Sequence, residues 1–197
     1  MPGIEYFYSL MSPFTYLAGL GLEEVAASHD VEIVYRPTDI AAVFNETGGL
    51  PVPKRHPFRQ EYRLQELKRL SAMHDMALTI SPKHWPVDVT LASCCVLAVI
   101  AHDGDGGPIS HAFLKACWAE EKDISDPDQV AEILEVHGYA MDELSGAIEA
   151  ARSEYAANTQ RAIDNGVFGA PFYVVDGERF WGQDRLVHLD WHLGNIA

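Results

Sequence analysis

The sequence predicts an α/β fold in which a βαβ unit opens the chain, a ββα unit closes it, and a large all-helical insertion separates the two. Three observations support this class. A short apolar strand runs into an amphipathic helix and a second strand, two strands joined by an Asp-Gly turn stand near the end, and helical periodicity fills the middle. We therefore expect one domain built from residues 1–40 and 159–197, with residues 41–158 as the inserted helical domain.

The first predicted strand covers Ile4–Tyr8, whose continuous aromatic and aliphatic character suits burial on both faces of a sheet. Ser12 then has the residue type favoured at a helix N-cap, and Pro13 suits the first helical position because its missing N–H would be unpaired there anyway. Five apolar positions follow at helical spacing: Phe14, Leu17, Ala18, Leu22 and Val25. One helix is therefore predicted from Ser12 to about Ser28.

The second strand is predicted at Val31–Tyr35, where apolar and polar residues alternate, and it should lie parallel to the first. After Pro37 the sequence is rich in turn formers, above all at residues 45–53, which predicts a loop that leaves the sheet. Apolar periodicity then predicts a succession of helices at residues 57–75, 88–101, 109–120, 126–137, 141–151 and 153–165, with a loop at 103–108.

The end of the chain predicts the second half of the sheet. Phe172–Val175 is a strand, Asp176-Gly177 has the composition of a hairpin turn, and residues 179–181 form the antiparallel partner strand. A last helix follows, with Leu186, Leu189 and Leu193 on its inward face.

Charge excludes some classes of partner. With 29 acidic residues against 14 Lys and Arg, the formal net charge is −15, which argues against a nucleic-acid or an anionic membrane partner. An anionic small molecule would need a local basic site, and one dense basic run is present: Lys54, Arg55, Arg59, Arg63, Lys68 and Arg69. The alternative for this run is a solvated helix face.

The spacing of the cysteines and the hydropathy of the chain indicate its metal chemistry and its cellular compartment. Cys94, Cys95 and Cys117 offer neither a Cys-x-x-Cys pair nor zinc-ligand spacing, so we expect small buried residues and no metal site. No apolar run approaches the ~20 residues needed to span a bilayer. We therefore expect a soluble, cytoplasmic protein.

Three segments carry a resemblance to known proteins. Ser-Pro-Phe-Thr-Tyr-Leu at residues 12–17 follows a strand, and two further blocks stand near the end at residues 166–175 and 180–186. In this order the chain resembles the 2-hydroxychromene-2-carboxylate isomerases and the kappa-class glutathione transferases. These are relatives of the DsbA thioredoxin-like proteins in which a serine replaces the redox cysteine. The resemblance implies a thioredoxin-like βαβ…ββα domain with a large helical insertion.

The resemblance implies glutathione as the cofactor, with Ser12 stabilising its thiolate at the start of a helix, where the free N–H groups favour an anion. It also implies that the bond from Ala170 to Pro171 is cis, which would leave the N–H and C=O of Ala170 free to pair with the backbone of a peptide ligand. Without the resemblance, Ser12 is simply a helix cap.

Two more positions match glutathione contacts in the resembled proteins. Gln183 and Asp184 correspond to residues that hold the γ-glutamyl end, where a carboxylate binds the ammonium group, although Asp184 would serve equally as an N-cap. Lys54 is the candidate partner of a ligand carboxylate. The asparagine expected near it is absent or displaced to Asn45, and Ser9 stands where the isomerases often have an acidic residue.

His84 and Trp85 are the candidates for lining an aromatic substrate pocket. They stand in Pro82-Lys-His-Trp-Pro86, which would otherwise be a proline-bounded surface turn.

These observations favour a glutathione-dependent isomerase of the 2-hydroxychromene-2-carboxylate isomerase type, acting on an aromatic or conjugated carboxylate by reversible thiolate addition. The alternatives are a kappa-like glutathione transferase and a cysteine-less, DsbA-like peptide-binding module. A disulfide oxidoreductase is disfavoured because residues 12–15 lack the cysteines that it would need. A homodimer is the candidate assembly.

Overall fold

The sheet of the computed structural model, which describes residues 3–196, has four strands in the order β2-β1-β3-β4. They are β1 (Ile4–Tyr8), β2 (Ile33–Pro37), β3 (Phe172–Val175) and β4 (Glu178–Trp181). β1 and β2 are parallel, and β3 is antiparallel to both β1 and β4. This arrangement confirms the predicted βαβ start and hairpin end, and it puts the first and last thirds of the chain side by side.

Helices surround the sheet and fill the insertion. They are α1 (Pro13–Leu17), α2 (Gly21–His29), α3 (Ile40–Thr47), α4 (Pro57–Met73), α5 (Thr90–Ala101), α6 (Gly106–Trp118), α7 (Pro127–Val136), α8 (Met141–Asp164) and α9 (Leu186–Ile196), with 3-10 helices at Val52–Lys54 and Gln183–Arg185. Within residues 3–196, no helix has the length and apolar character needed to cross a membrane.

β1 is buried on both faces, as its composition predicts. Tyr6 and Tyr8 point into the larger core, where the Tyr6 ring stacks on Tyr173 of β3 at 5.4 Å between centroids. Phe7 points the other way, into a smaller core that includes Val43 of α3 and Ala162 of α8. Helices on both sides thus fix the position of the strand that leads into Ser12.

The single helix predicted from Ser12 to about Ser28 is wrong. α1 ends at Leu17 with Ala18 as its C-cap, Gly19 has φ +57°, and α2 starts at Gly21. The left-handed backbone at Gly19 cannot continue a right-handed helix. The apolar spacing from Phe14 to Val25 suggested one helix because Leu17 and Leu22 are both buried, although they belong to different helices.

The loop predicted after Pro37 is also wrong in part, because it contains α3. The side chain of Asp39 accepts hydrogen bonds from the N–H groups of Ala41 and Ala42, at 2.9 and 3.2 Å, and Gly48 ends the helix with φ +81°. An Asp cap and a terminal Gly are readable helix signals. β2 likewise begins two residues later than Val31 and extends to Pro37, which pairs with Tyr8.

Two boundaries in the insertion differ from the prediction by more than two residues. α8 is one helix of 24 residues where a break near residue 152 was predicted, since neither Gly nor Pro interrupts residues 147–164. α6 begins at Gly106, inside the loop predicted at 103–108, because Asp105 caps it by accepting from the Gly107 N–H at 2.9 Å. The domain boundaries remain a prediction, and the one after residue 158 falls within α8.

Candidate active site

Ser12 lies in the connection between β1 and α1, directly before the first residue of α1. Its backbone is extended, with φ −92° and ψ 118°, and its Oγ accepts the N–H of Thr15 at 3.2 Å, so Ser12 is the N-cap that the sequence predicts. The same hydroxyl donates to the carbonyl oxygen of Ala170 at 3.1 Å. One side chain therefore joins the start of α1 to the segment before β3.

The peptide bond from Ala170 to Pro171 is cis, as the resemblance implies. The expectation that the C=O of Ala170 is free is wrong, since the Ser12 hydroxyl donates to it. The N–H of Ala170, by contrast, has no hydrogen-bond partner among residues 3–196. The C=O of Pro171 accepts from the N–H of Gly182 at 3.0 Å, which ties this segment to the one that carries Gln183 and Asp184.

Gln183 and Asp184 lie in the short 3-10 helix after β4, which packs on α1. Asp184 is exposed, and its carboxylate pairs with Arg185 at 3.0 Å. Gly182 has φ +109° and ψ 154°, and a Cβ there would approach Asp184 Oδ1 to 2.6 Å. Glycine at 182 is thus what allows the Asp184 side chain its present position.

The two candidate substrate residues point to different partners. Trp85 Nε1 donates to the carbonyl oxygen of Met11 at 3.1 Å, which brings the indole to the residue before Ser12. His84 Nδ1 lies 3.4 Å from Asp123 Oδ2. Trp85 therefore adjoins the Ser12 segment, whereas the imidazole of His84 faces an acidic neighbour.

The residues of the basic run differ in their exposure and in their contacts. Lys54 is exposed in its 3-10 helix, and within residues 3–196 no carboxylate pairs with its ammonium group. Arg55 donates to the Leu50 carbonyl at 2.7 Å and lies over the Phe44 ring at 5.9 Å, so it helps to hold the loop that carries Lys54.

The burial of Arg63, a member of the basic run, is the feature that sequence reasoning missed. Arg63 is only 8% exposed, and its guanidinium lies 5.3 Å from the centre of the Trp85 ring. The signal was present, because Arg63, Leu67 and Leu70 fall at i, i+4 and i+7 and form the buried face of α4. Three large apolar residues of α4 are largely exposed: Phe58, Tyr62 and Met73.

Comparison with known protein families shows which family this chain belongs to. A family described as DSBA-like thioredoxin domain matches residues 3–194. The chain belongs to this DSBA-like family. The fold class predicted from the sequence is thereby confirmed.

The relatives of this DSBA-like protein agree with the resemblance found in the sequence. A 2-hydroxychromene-2-carboxylate isomerase of Sphingobium xenophagum is 28% identical, over 96% of this chain and 97% of its own. A glutathione S-transferase kappa 1 of Rattus norvegicus is 22% identical, over 97% and 90%. A solved structure of a 2-hydroxychromene-2-carboxylate isomerase matches with a TM-score of 0.81 at 22% identity, over 98% and 95%. Both relatives bear the names of enzymes, as predicted for this chain.

The cysteines of this DSBA-like chain lie in α5 and α6 of the helical insertion. Cys94, Cys95 and Cys117 are free and buried, as predicted. Burial raises the pKa of the Cys95 thiol and of the Cys117 thiol to about 12 in each case. These thiols are therefore neutral at pH 7, and none of them can supply a thiolate at the start of α1.

Proposed function

We propose that this DSBA-like protein is a glutathione-dependent isomerase that acts on an aromatic or conjugated carboxylate. The observation that carries the proposal is the Ser12 hydroxyl, which bridges the start of α1 and the backbone beside the cis bond to Pro171. Because the chain's own thiols are buried and protonated, a reactive sulfur at this point must come from a ligand. The names of the relatives support glutathione as that ligand and isomerisation as the reaction.

The described groups around Ser12 fit such a ligand. The unpartnered N–H of Ala170 can pair with the backbone of a short peptide, and the exposed carboxylate of Asp184 can bind an ammonium group. When bound, glutathione would supply a thiolate that adds to a conjugated carbon, permits rotation about the resulting single bond, and leaves by elimination.

Ser12 would act through its proton and not as a nucleophile. To stabilise an anionic sulfur, the hydroxyl must turn its hydrogen away from the Ala170 carbonyl while it keeps the N–H of Thr15. The N–H of Phe14, which has no partner within residues 3–196, offers a second donor in the first turn of α1. Since α1 has only five residues, these two local donors contribute more than a long helix dipole.

The two alternative functions differ in what they require. A glutathione transferase would use the same residues but consume one glutathione for each product. A peptide-binding module would pair an extended peptide through both backbone groups of Ala170, whose carbonyl oxygen keeps one lone pair beside its bond from Ser12. The enzyme names of the relatives favour an enzyme over the binding module.

The test combines binding with stoichiometry. Titration calorimetry should show glutathione binding that Asp184→Ala weakens by about tenfold or more, because a charged hydrogen bond is lost. Asp164→Ala, which removes an exposed carboxylate from the end of α8, should bind glutathione normally. With 2-hydroxychromene-2-carboxylate as substrate, a small amount of glutathione should support many turnovers and be recovered unchanged. No binding would refute the proposal, and equimolar consumption would make the protein a transferase.

Arg185 provides a second control for the role of Asp184. Its guanidinium now neutralises the carboxylate at 3.0 Å. We expect Arg185→Met to leave glutathione affinity unchanged or to increase it, since the carboxylate is then free for the ligand ammonium. Loss of affinity in Arg185→Met would mean that the ion pair itself, and not the carboxylate, shapes the site.

A further inference from the structure

Arg63 is a buried cation without a counter-charge. It is 8% exposed, and among residues 3–196 no carboxylate pairs with it and no acceptor takes a hydrogen bond from it. The guanidinium carbon lies 5.3 Å from the centre of the Trp85 ring, within the range of a cation–π contact. Such a contact is not a hydrogen bond, so the guanidinium N–H groups have no acceptor among residues 3–196.

A cation in this position is costly without an anion. Burial, together with repulsion from Arg55, lowers the pKa of Arg63 to about 10, so the group is still charged at neutral pH. Buried charges in proteins are normally paired or hydrogen-bonded. Arg36, whose side chain is 14% exposed, follows that rule, because its guanidinium pairs with the Glu5 carboxylate at 2.8 Å. In a chain of net charge −15, a buried arginine left without a carboxylate marks a place for an anion from outside.

A cavity of about 180 Å³ opens beside Arg63 and Trp85. Its other lining residues are Val52, Gln60, Leu64, Ile80, Ser81 and Pro82, so Arg63 is the one charged group among the residues that line it. The side-chain amide of Gln60 is committed to the Arg55 carbonyl at 2.8 Å. This volume is well below the ~300–1,000 Å³ of pockets for drug-sized molecules, so the cavity suits the carboxylate end of a substrate.

The cavity adjoins the proposed active site through Trp85. Its indole forms one wall and also donates to the Met11 carbonyl, directly before Ser12. We propose that Arg63 and Trp85 hold the carboxylate end of the substrate, a small, flat, aromatic or conjugated monocarboxylate. This inference rests on the proposed function for the identity of the ligand as substrate. The inference makes Arg63 the cation that pairs with the substrate carboxylate. From the sequence alone, Lys54 is the candidate partner of a ligand carboxylate.

The direct test uses cinnamate as the anionic probe and cinnamamide as its neutral counterpart. Wild-type protein should bind cinnamate about tenfold or more tighter than cinnamamide, the difference expected for hydrogen bonds to a charged group. Arg63→Met, which keeps an apolar stem against Trp85, should bind the two probes equally. Arg69→Met is the matched control, because Arg69 is on the same helix and paired with Glu66. Equal cinnamate affinity in wild type and Arg63→Met would overturn the inference.

Thermal unfolding separates ligand binding from a structural role. Because Arg63→Met removes a buried charge that the chain leaves unpaired, the unfolding midpoint should stay the same or rise. A lower midpoint with unchanged preference for cinnamate would make Arg63 a structural residue and overturn the inference. Arg63→Lys gives a second check, since it keeps the charge. It should retain part of the preference for cinnamate, and complete loss in this folded variant would contradict an electrostatic role.

Glutathione binding to Arg63→Met distinguishes the two carboxylates that could reach this site. We expect glutathione affinity to be unchanged. If it falls while cinnamate affinity is unchanged, Arg63 binds the glycyl carboxylate and the inference is overturned. If wild-type protein binds cinnamate through Arg63 but never binds glutathione, the anion site stands and the proposed isomerase function fails.

Discussion

The Ser12 hydroxyl and the Ala170 carbonyl oxygen, 158 positions apart in the chain, form a hydrogen bond of 3.1 Å. This contact joins the N-terminus of α1 to the backbone before the cis bond of Pro171. The Ser12 proton is directed at the Ala170 carbonyl, so under the proposed function a bound sulfur has to compete for it. Stabilisation of a glutathione thiolate and release of the Ala170 carbonyl would then be coupled through one side chain.

Replacing Ser12 by Ala should separate catalysis from stability. We expect a folded protein that loses about 1–2 kcal/mol of unfolding free energy, the usual value for a helix cap, while glutathione-dependent turnover falls by a factor of about 100 or more. Denaturant unfolding and steady-state kinetics measure the two effects. Ser12→Thr should recover part of the activity because it keeps the hydroxyl. Ser28→Ala, which removes a hydroxyl bonded to the Val25 carbonyl, is the control. Full activity in folded Ser12→Ala would exclude Ser12 from the mechanism.

The pKa of the glutathione thiol provides a second measurement at the same residue. A free thiol titrates near pH ~8.5, and donors such as Ser12 Oγ–H and Phe14 N–H should lower that value on binding. Thiolate absorbance followed against pH, with and without protein, gives the midpoint. In Ser12→Ala the midpoint should move back towards the free value. A midpoint that protein leaves unchanged or raises would show that these donors do not face the sulfur.

Gly182→Ala should damage the site through the backbone. With φ +109° and ψ 154°, this position is in a region that only glycine adopts readily, so we expect a loss of about 1–3 kcal/mol of unfolding free energy. The new Cβ would also displace Asp184, and glutathione affinity should fall with it. Gly146→Ala is the control, because Gly146 lies within α8 with open space around its Cα and should become more stable. Normal glutathione affinity in Gly182→Ala would show that binding does not depend on the position of Asp184.

Glu23 should make stability depend on acid pH. Burial by itself raises the pKa of this carboxyl, but hydrogen bonds from His111 at 2.8 Å and from Tyr35 at 3.0 Å outweigh burial, so the pKa lies below its usual 4.5. A carboxyl with a lowered folded-state pKa stabilises the protein above the unfolded-state value. That contribution should disappear as the pH falls from 4.5 through the lower folded-state value.

Glu23→Gln tests this linkage. The variant should lose about 1–3 kcal/mol of unfolding free energy at pH 7, because the hydrogen bonds from His111 and Tyr35 no longer go to a charged, partly buried group, and its stability should vary less below pH 4.5. Denaturant melts at a series of pH values measure both effects. Glu24→Gln, at the exposed neighbouring position, is the control. Parallel pH profiles for wild type and Glu23→Gln would contradict the assignment.

Lys54 should contribute to the affinity for glutathione or substrate only through a charge interaction at the protein surface, which salt screens. Its ammonium group is exposed, so any contact with a ligand carboxylate should be screened over a Debye length of ~8 Å at physiological ionic strength. We expect Lys54→Met to weaken glutathione binding or to lower substrate kcat/KM at low salt, and to do so less at high salt. Lys68→Met, at another exposed position of the basic run, is the control. If Lys54→Met changes neither quantity at low salt, Lys54 serves solubility alone.

Ser12 and Arg63 show how far the sequence could predict the candidate site. Ser12 was predictable, because an N-cap followed by Pro13 is a local preference that needs no knowledge of the rest of the chain. Arg63 was readable only as one member of a basic run. Part of its cover comes from Trp85, which stands 22 positions later in the chain and contacts the guanidinium only in the folded protein.

The sequence by itself determined the order of elements at the two ends, the capped start at Ser12, the Asp-Gly hairpin and the burial of the cysteines. These features follow from local backbone preferences and from apolar periodicity. Tertiary structure alone decided that Ser12 meets Ala170, that α1 ends at Leu17, and that Arg63 is buried with no carboxylate partner among residues 3–196. Each of these depends on which distant segments pack together, and packing energy is a property of the assembled core that no short stretch of sequence contains.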